Sequence, residues 1–268
     1  MRLHPEQIKI AEEMQAFLNE CPDGPEISEC RNFSFLYHFE AARQLLVREH
    51  LYKCGFGKDD KLEILDFGFL SGITQEFTHR AFPKAKFRVF DRPDGTLLRN
   101  EEYLRVIRKR EYLSLEPGDL TQLTEVSGKY DIIHLGEIIE HLDPTAVVKA
   151  LKMLRRCAKP KCCLIITTPN KRGIYNCWMT FRGKDSIEVA PIPNPVHGYG
   201  HIHLWGADIL TETAAVCGWN SPSSTSFYHG REGEKFDKPM PLTIRGVKFF
   251  AERYPKMRGF FVSSFRAV

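Results

Sequence analysis

Short apolar runs alternate along this chain with segments whose apolar positions recur at helical spacing. The runs that predict strands are 62–67, 87–90, 111–115, 130–135, 162–167, 224–228 and 259–265. The segments that predict helices are 5–20, 35–53, 73–82, 96–109, 145–158, 207–215 and 242–254. Strands separated by helices are typical of an α/β protein in which a largely parallel sheet is covered on both faces. The last two strands are expected to form an antiparallel edge.

The alternation breaks over residues 169–203, a segment rich in proline, glycine and aromatic residues. Long irregular segments inside compact domains are usually functional. We therefore predict a helical N-terminal cap over 1–58, and a main domain over 59–268 in which 169–203 is an insertion that covers a substrate site.

Composition and charge exclude few classes of protein. The 268 residues are 43% hydrophobic and 27% charged, which is ordinary for a globular chain, and the net charge of +4 neither demands nor excludes nucleic acid. The eight cysteines contain no Cys-x-x-Cys pair, and no apolar stretch reaches the roughly 18 residues of a membrane span. These features predict a reduced, cytoplasmic protein without a membrane segment, and they leave its oligomeric state open.

A glycine-containing turn follows the first predicted strand. Asp66, Gly68 and Gly72 lie in this turn, where glycines let the backbone approach a nucleotide and a helix start offers free N–H groups. The second predicted strand ends at Asp91, a position where a carboxylate can accept hydrogen bonds from ribose hydroxyls. Together they predict a site for a nucleoside cofactor.

The richest stretch in polar chemistry is 131–144, where an apolar strand gives way to acidic and imidazole groups. If a helix begins at Glu137, Glu140 and His141 follow at i+3 and i+4, and all three side chains can point into one cleft. Open α/β sheets bind their ligands at this end of the strands.

In the order and spacing of these motifs the chain resembles the class I S-adenosylmethionine-dependent methyltransferases. The resemblance runs from about 62 to 219 and includes the glycine turn, Asp91, Gly118-Asp119-Leu120, the 130–144 stretch, Leu164 to Asn170, and His201 before a helix that ends at Cys217-Gly218-Trp219. Within that class it is similar to the branch of ubiquinone-pathway and of sugar and natural-product O-methyltransferases. The implied fold is Rossmann-like, with seven mostly parallel strands and the last one antiparallel.

The resemblance also implies roles for individual residues. Asp66, Gly68 and Gly72 would surround the methionine part of S-adenosylmethionine, and Asp91 would hold its ribose. The residues implied beside the adenine and the sulfonium are Asp119, Leu120, Gly136 and Glu137. The chain departs from the family pattern at Leu70, where glycine is usual, and a residue with a Cβ at positive φ costs roughly 1 kcal/mol or more.

Three interpretations of Glu137, Glu140 and His141 stay open at this point. The group can be structural, or His141 or a glutamate can act as the general base that removes the proton of an acceptor hydroxyl. Carboxylates and imidazoles also suit a divalent metal, and His201 follows His141 by 60 positions. The metal set would be Glu137, Glu140, His141 and His201, an arrangement similar to that of the small-RNA 3′-terminal 2′-O-methyltransferases.

The acceptor site has fewer signals. Candidates for substrate contacts are His201, His203, Tyr175, Trp178 and Arg172, which lie in or beside the insertion. The leading hypothesis is O-methylation of a small-molecule or sugar-like acceptor. The alternatives are a metal-dependent 2′-O-methyltransferase of an RNA terminal ribose and a cofactor-binding protein without catalysis.

Overall fold

In the computed structural model, residues 5–23, 25–31, 34–69, 71–95, 97–183, 200–227, 249 and 253–267 are described. The strands are β1 (Glu63–Phe67), β2 (Lys86–Asp91), β3 (Leu113–Pro117), β4 (Tyr130–Gly136), β5 (Ala158–Pro169), β6 (Trp219–Phe227) and β7 (Phe260–Ala267). The α-helices are α1 (Pro5–Leu18), α2 (Pro25–Cys30), α3 (Ala41–Lys53), α4 (Ile73–Ala81), α5 (Glu101–Ile107), α6 (Pro144–Arg156), α7 (Ile174–Phe181) and α8 (Ala207–Val216). A π-helical segment, Ser34–Glu40, leads directly into α3.

The described strands form one seven-stranded sheet in the order β3-β2-β1-β4-β5-β7-β6. Neighbours from β3 to β5 are parallel, whereas β7 is antiparallel to both β5 and β6. The predicted α/β fold with an antiparallel last strand is therefore confirmed.

Two cores lie on opposite faces of the sheet, as alternation along each strand requires. On β4, Ile132 belongs to the core beneath α1, α3 and α4, whereas Ile133 belongs to the core beneath α6 and α8. The N-terminal helices thus share a core with the sheet. The division at residue 58 stays a prediction.

The structure differs from the predicted elements mainly in the second half of the chain. β6 begins at Trp219 instead of near 224, and the predicted insertion contains a helix, α7, that the sequence analysis did not foresee. Residues 184–199 of the insertion lie outside the described part, as does most of the helix predicted over 242–254. None of the helices in the described ranges is long and apolar enough to cross a bilayer.

His50 ties α3 to the antiparallel edge of the sheet. Its fully buried ring contacts the hydroxyls of Ser264 at 2.8 Å and Thr225 at 3.1 Å. A neutral imidazole serves both hydroxyls, because one nitrogen donates and the other accepts. Burial, helped by Lys53, lowers the pKa of His50 to about 4.

We expect this buried histidine to make the fold acid-sensitive. The unfolded chain takes up a proton at His50 near pH 6.5 and the native protein only near pH 4, so stability present above pH 6.5 is lost as the pH falls through this window. The loss amounts to about 3 kcal/mol. Urea unfolding between pH 4 and 7 measures it, and His50→Gln should flatten that pH dependence even if the variant is less stable overall. An unchanged slope in the variant would assign the acid sensitivity to other groups.

Candidate functional site

The candidate site lies at the carboxyl ends of β1, β2 and β4. The chain leaves β1 for β2 and β3 on one side and returns to β4 on the other, so a crevice opens between β1 and β4. Such a switch in strand order is where open α/β sheets bind ligands.

The turn after β1 depends on its glycines. Gly68 and Gly72 have φ values of 82° and 75°, which favour a residue without a Cβ. A Cβ at Gly68 would overlap the side chain of Ile138, and one at Gly72 would stand 2.8 Å from Cζ of Phe69. Packing within the protein therefore already requires both glycines. Leu70 lies outside the described residues, and the cofactor contacts predicted for the turn stay predictions.

The carboxylate of Asp91, at the end of β2, is hydrogen-bonded to this turn. Its oxygens accept hydrogen bonds from the backbone N–H groups of Arg92 at 2.7 Å and Phe69 at 3.2 Å. Burial raises its pKa, and these backbone N–H groups oppose the rise. Each carboxylate oxygen has a second lone pair, so Asp91 retains acceptor capacity for ribose hydroxyls.

The residues predicted near the adenine lie at the end of β3, next to β2. The N–H of Gly118 donates to the carbonyl of Asp91 at 2.7 Å, which joins the two strand ends. The carboxylate of Asp119 accepts from the N–H and hydroxyl of Thr121, and Leu120 is buried. This arrangement can present an apolar wall and a backbone edge to a base.

Asp66 occupies a different environment from Asp91. It is 1% exposed, and its oxygens accept hydrogen bonds from Gln75 Nε2 at 2.6 Å and His134 Nδ1 at 2.8 Å. His134 is itself buried, with 5% of its surface exposed. Contact between Asp66 and a cofactor stays a prediction.

No helix begins at Glu137, which corrects the local geometry considered from the sequence. Glu137 has a left-handed φ of 54°, its N–H donates to the carbonyl of Thr167 at 3.0 Å, and one 3₁₀ turn follows over Ile139–His141. α6 begins only at Pro144, because Asp143 caps its first N–H groups. Glu140 and His141 still remain next to the end of β4.

The carboxylate of Glu140 is a buried, incompletely satisfied group. Its Oε2 accepts from the hydroxyl of Thr168 at 3.0 Å, whereas Oε1 of Glu140 and Oε1 of Glu137 have no hydrogen-bond partner among the described residues. Burial raises the pKa of both carboxyls, and the charge of Glu137 raises that of Glu140 further. A buried anionic oxygen without a donor favours a cation or a proton nearby.

His141 and His201 complete a cluster with Glu140. One potential ligand atom from each residue lies within 4.8 Å of the others, and the two imidazole centroids are 4.9 Å apart. Nδ1 of His141 contacts the carbonyl of Gly200 at 3.1 Å, so this nitrogen donates, and in the neutral ring Nε2 is the nitrogen that can bind a metal. Metal-bound histidines commonly have this arrangement. The donor set fits a divalent ion.

The 3₁₀ turn also forms backbone hydrogen bonds with the segment that contains His201 and His203. The N–H groups of Ile202 and His203 donate to the carbonyl of Glu140 at 2.8 and 3.2 Å. The ring of His203 packs on Trp205 at 4.9 Å and is not part of the three-residue cluster. His201 and His203 therefore have different surroundings despite their alternation in the sequence.

The other predicted substrate residues lie on or beside α7. Trp178 is 50% exposed and stacks on Phe181, whose exposed fraction is 82%, while Arg172 forms an ion pair with Asp208 at 2.6 Å. The side chain of Tyr175 lies outside the described residues. Acceptor contacts for this group stay predictions.

Sequence reasoning missed Arg43, which approaches the site from α3. Arg43 is 5% exposed, and its guanidinium donates to Glu40 at 2.5 and 3.1 Å and to Thr167 at 3.4 Å. A Cβ at Gly136 would stand 2.9 Å from Nη1 of Arg43, so glycine at the end of β4 makes room for this cation. The i, i+3 spacing of Glu40 and Arg43 within an apolar helical pattern was the available signal.

Comparison with solved structures finds similar folds at low identity. The putative methyltransferase complexed with the Trm112 methyltransferase activator of Haloferax volcanii matches with a TM-score of 0.56 and 13% identity, over 95% of this chain and 97% of that one. Human N-acetylserotonin methyltransferase in complex with S-adenosylmethionine matches with a TM-score of 0.50 and 11% identity; 97% of this chain corresponds to only 56% of that protein.

The same fold also occurs in the 4+2 cyclase SpnF, with a TM-score of 0.50 and 13% identity over 83% of this chain and 80% of that one. No protein-family model and no curated protein matches the chain. The chain thus has the fold of the S-adenosylmethionine-dependent methyltransferases, and the chemistry has to be argued from the site itself.

Proposed function

We propose that this protein is an S-adenosylmethionine-dependent O-methyltransferase whose acceptor is a small molecule or sugar-like compound and whose site holds a divalent cation. The observation that carries the proposal is the cluster of buried Glu140 with the half-buried His141 and His201 at the end of β4, beside the crevice in a methyltransferase fold. S-adenosylmethionine, when bound, supplies the electrophilic methyl group.

In this proposal the chain mainly positions the reactants. Asp91 accepts hydrogen bonds from the ribose hydroxyls, and Asp119 and Leu120 lie beside the base. These contacts orient the nucleoside along the strand ends. Methyl transfer is a displacement in line, so alignment and the exclusion of water are the main contributions of such a site.

The polar groups that follow β4 have two roles in the proposal, metal binding and proton acceptance. Glu140, His141 and His201 would hold the cation, and its bound form would supply Lewis acidity toward an acceptor hydroxyl. Glu137 receives the proton that the acceptor hydroxyl loses. Burial raises the pKa of Glu137, which makes it a stronger base toward that proton.

A second acceptor class is the terminal ribose of an RNA. The feature that favours it is the Glu-x-x-Glu-His sequence together with His201, because the structure brings three members of this set into one cluster. A sugar diol and a terminal ribose offer the same vicinal hydroxyls to a cation. The two acceptor classes differ in phosphate content, because the terminal ribose of an RNA is attached to backbone phosphates.

A transfer assay with labelled S-adenosylmethionine tests the proposal directly. We expect label to appear on a diol-bearing sugar or phenolic acceptor when Mg²⁺, Mn²⁺ or Co²⁺ is present, and to disappear with a chelator. Label only on short RNA, and not on periodate-oxidised RNA that lacks the terminal diol, would select the second class. Absence of cofactor binding by calorimetry would reject the methyltransferase proposal altogether.

Replacing Asp91 with alanine should weaken S-adenosylmethionine binding about 10- to 100-fold, since the nucleoside loses hydrogen bonds to a charged group. Titration calorimetry measures the change, and circular dichroism should show an intact fold. Asp94→Ala is the matched control, because Asp94 lies in the same loop and pairs with the exposed side chain of Arg92. Equal losses in the two variants would mean that the ribose is bound elsewhere.

A further inference from the structure

Two cysteine side chains meet between the N-terminal helices and the centre of the sheet. Cys54 caps the end of α3, and Cys163 lies in β5, yet their Sγ atoms are only 2.7 Å apart. Both are free thiols in this structure. Cys163 is completely buried, while Cys54 is partly exposed, so Cys54 is the member of the pair nearer to solvent.

The two thiols differ in reactivity. The hydrogen bond with Cys163, together with the nearby positive charge of Arg266, lowers the pKa of Cys54 to about 7 despite its burial. The same contact and burial raise the pKa of Cys163 well above its ordinary value. A thiolate is the form of cysteine that attacks oxidants and disulfides, so Cys54 is the nucleophile.

Five of the six other cysteines lack this combination. Burial raises the pKa of Cys21, Cys157, Cys162 and Cys217, which keeps those thiols protonated. Cys177 is exposed, on α7. Selective chemistry is therefore expected at Cys54, with Cys163 as the neighbouring thiol.

We propose that Cys54 and Cys163 are a reversible redox pair that forms a disulfide and fastens α3 to β5. With hydrogen peroxide as the oxidant, the Cys54 thiolate attacks one oxygen, the O–O bond breaks, and a sulfenic acid and hydroxide form. Cys163 then loses its proton, its sulfur attacks the Cys54 sulfur, and the second hydroxide leaves. The two thiols together lose two electrons, and the peroxide becomes two molecules of water after both hydroxides take up protons.

The position of the bond gives it a physical consequence. The linked residues are 109 positions apart, so the disulfide closes a long loop and restricts the unfolded chain. It also fixes the C-terminal end of α3, the helix that contains Arg43 and directly follows Glu40. Oxidation should therefore stabilise the contact between the N-terminal helices and the sheet, independently of the proposed methyl transfer.

Peptide mass mapping of the peroxide-treated full chain, without reductant, tests the bond. We expect one linked peptide pair containing Cys54 and Cys163, lighter by two hydrogen atoms than the separate peptides, and its disappearance after dithiothreitol. The thermal midpoint should rise by about 5–10 °C on oxidation and return on reduction. Oxidation that stops at a sulfinic acid on Cys54, or an unchanged midpoint, would overturn the proposal.

Single variants separate the two steps. Cys54→Ser should abolish both the linked peptide and the thermal shift, whereas Cys177→Ser, which removes the exposed thiol, should retain both. In Cys163→Ala the sulfenic acid should persist on Cys54, where dimedone traps it. If Cys163→Ala does not fold, the comparison of Cys54→Ser with Cys177→Ser decides alone; an oxidative shift that survives in Cys54→Ser would reject the pair.

Discussion

Replacing Arg43 with alanine is expected to lower the free energy of unfolding by about 3–5 kcal/mol, because the change leaves a buried carboxylate without its partner. Arg43 and Glu40 form an ion pair at 2.5 Å with side chains only 6% and 2% exposed. Gln44 and Thr74 complete this network, so the vacated space adjoins polar atoms that water reaches poorly. Urea denaturation followed by circular dichroism measures the loss.

Two further variants distinguish the buried pair from ordinary surface charge. The double variant Glu40→Gln with Arg43→Met should recover much of the lost stability, because it removes both charges and retains volume. Arg48→Ala is the control on the same helix; its ion pair with Glu6 is more exposed, so a loss below about 1 kcal/mol is expected. Equal destabilisation by Arg43→Ala and Arg48→Ala would contradict the importance of the buried pair.

The second large effect concerns the proposed cation site. His201→Ala should reduce Mn²⁺ affinity by at least about 100-fold, since it removes one of three clustered donors. His203→Ala is the matched control, because His203 is two positions away and packs on Trp205 instead. Electron paramagnetic resonance of free Mn²⁺ measures binding without any acceptor, and calorimetry with S-adenosylmethionine should show that the nucleoside site is intact in both variants.

The affinity for Mn²⁺ should also depend on pH in a defined direction. A carboxylate must lose its proton to bind a metal, and burial, together with the charge of Glu137, raises the pKa of Glu140. Affinity should therefore fall as the pH is lowered toward the pKa of Glu140, which lies above the ordinary value of 4.5. Affinity that is independent of pH, or equal loss in His201→Ala and His203→Ala, would assign the ion to another place.

The two sets of variants test different parts of the molecule. Arg43 lies beneath Gly136 and contacts Thr167, whereas His201 approaches from the segment after the insertion. A loss of stability in Arg43→Ala with unchanged Mn²⁺ binding would show that the buried network supports the site without forming it. If His201 acts only as a metal ligand, His201→Ala should instead abolish Mn²⁺ binding without changing stability.

Local patterns along the chain were sufficient for the class of fold and for the edge of the sheet that holds the site. β1, β2 and β4 are short apolar runs followed by glycine or acidic residues, and strand propensity with turn chemistry acts over only a few positions. Asp91, Glu140 and His141 could therefore be placed at strand ends without knowledge of distant contacts. Boundaries such as that of β6 were less well predicted, since pairing with β7 decides where that strand begins.

Contacts between residues far apart in the chain were decided only by the tertiary structure. Glu137 takes a left-handed φ because its N–H bonds to Thr167, which no local propensity for a helix could indicate. His201, but not His203, joins His141 because backbone bonds to Glu140 fix that segment. Sequence spacing determined which chemical groups are available; packing of α3 and the 200–205 segment against the sheet decided which of them meet, because side-chain contact depends on three-dimensional distance.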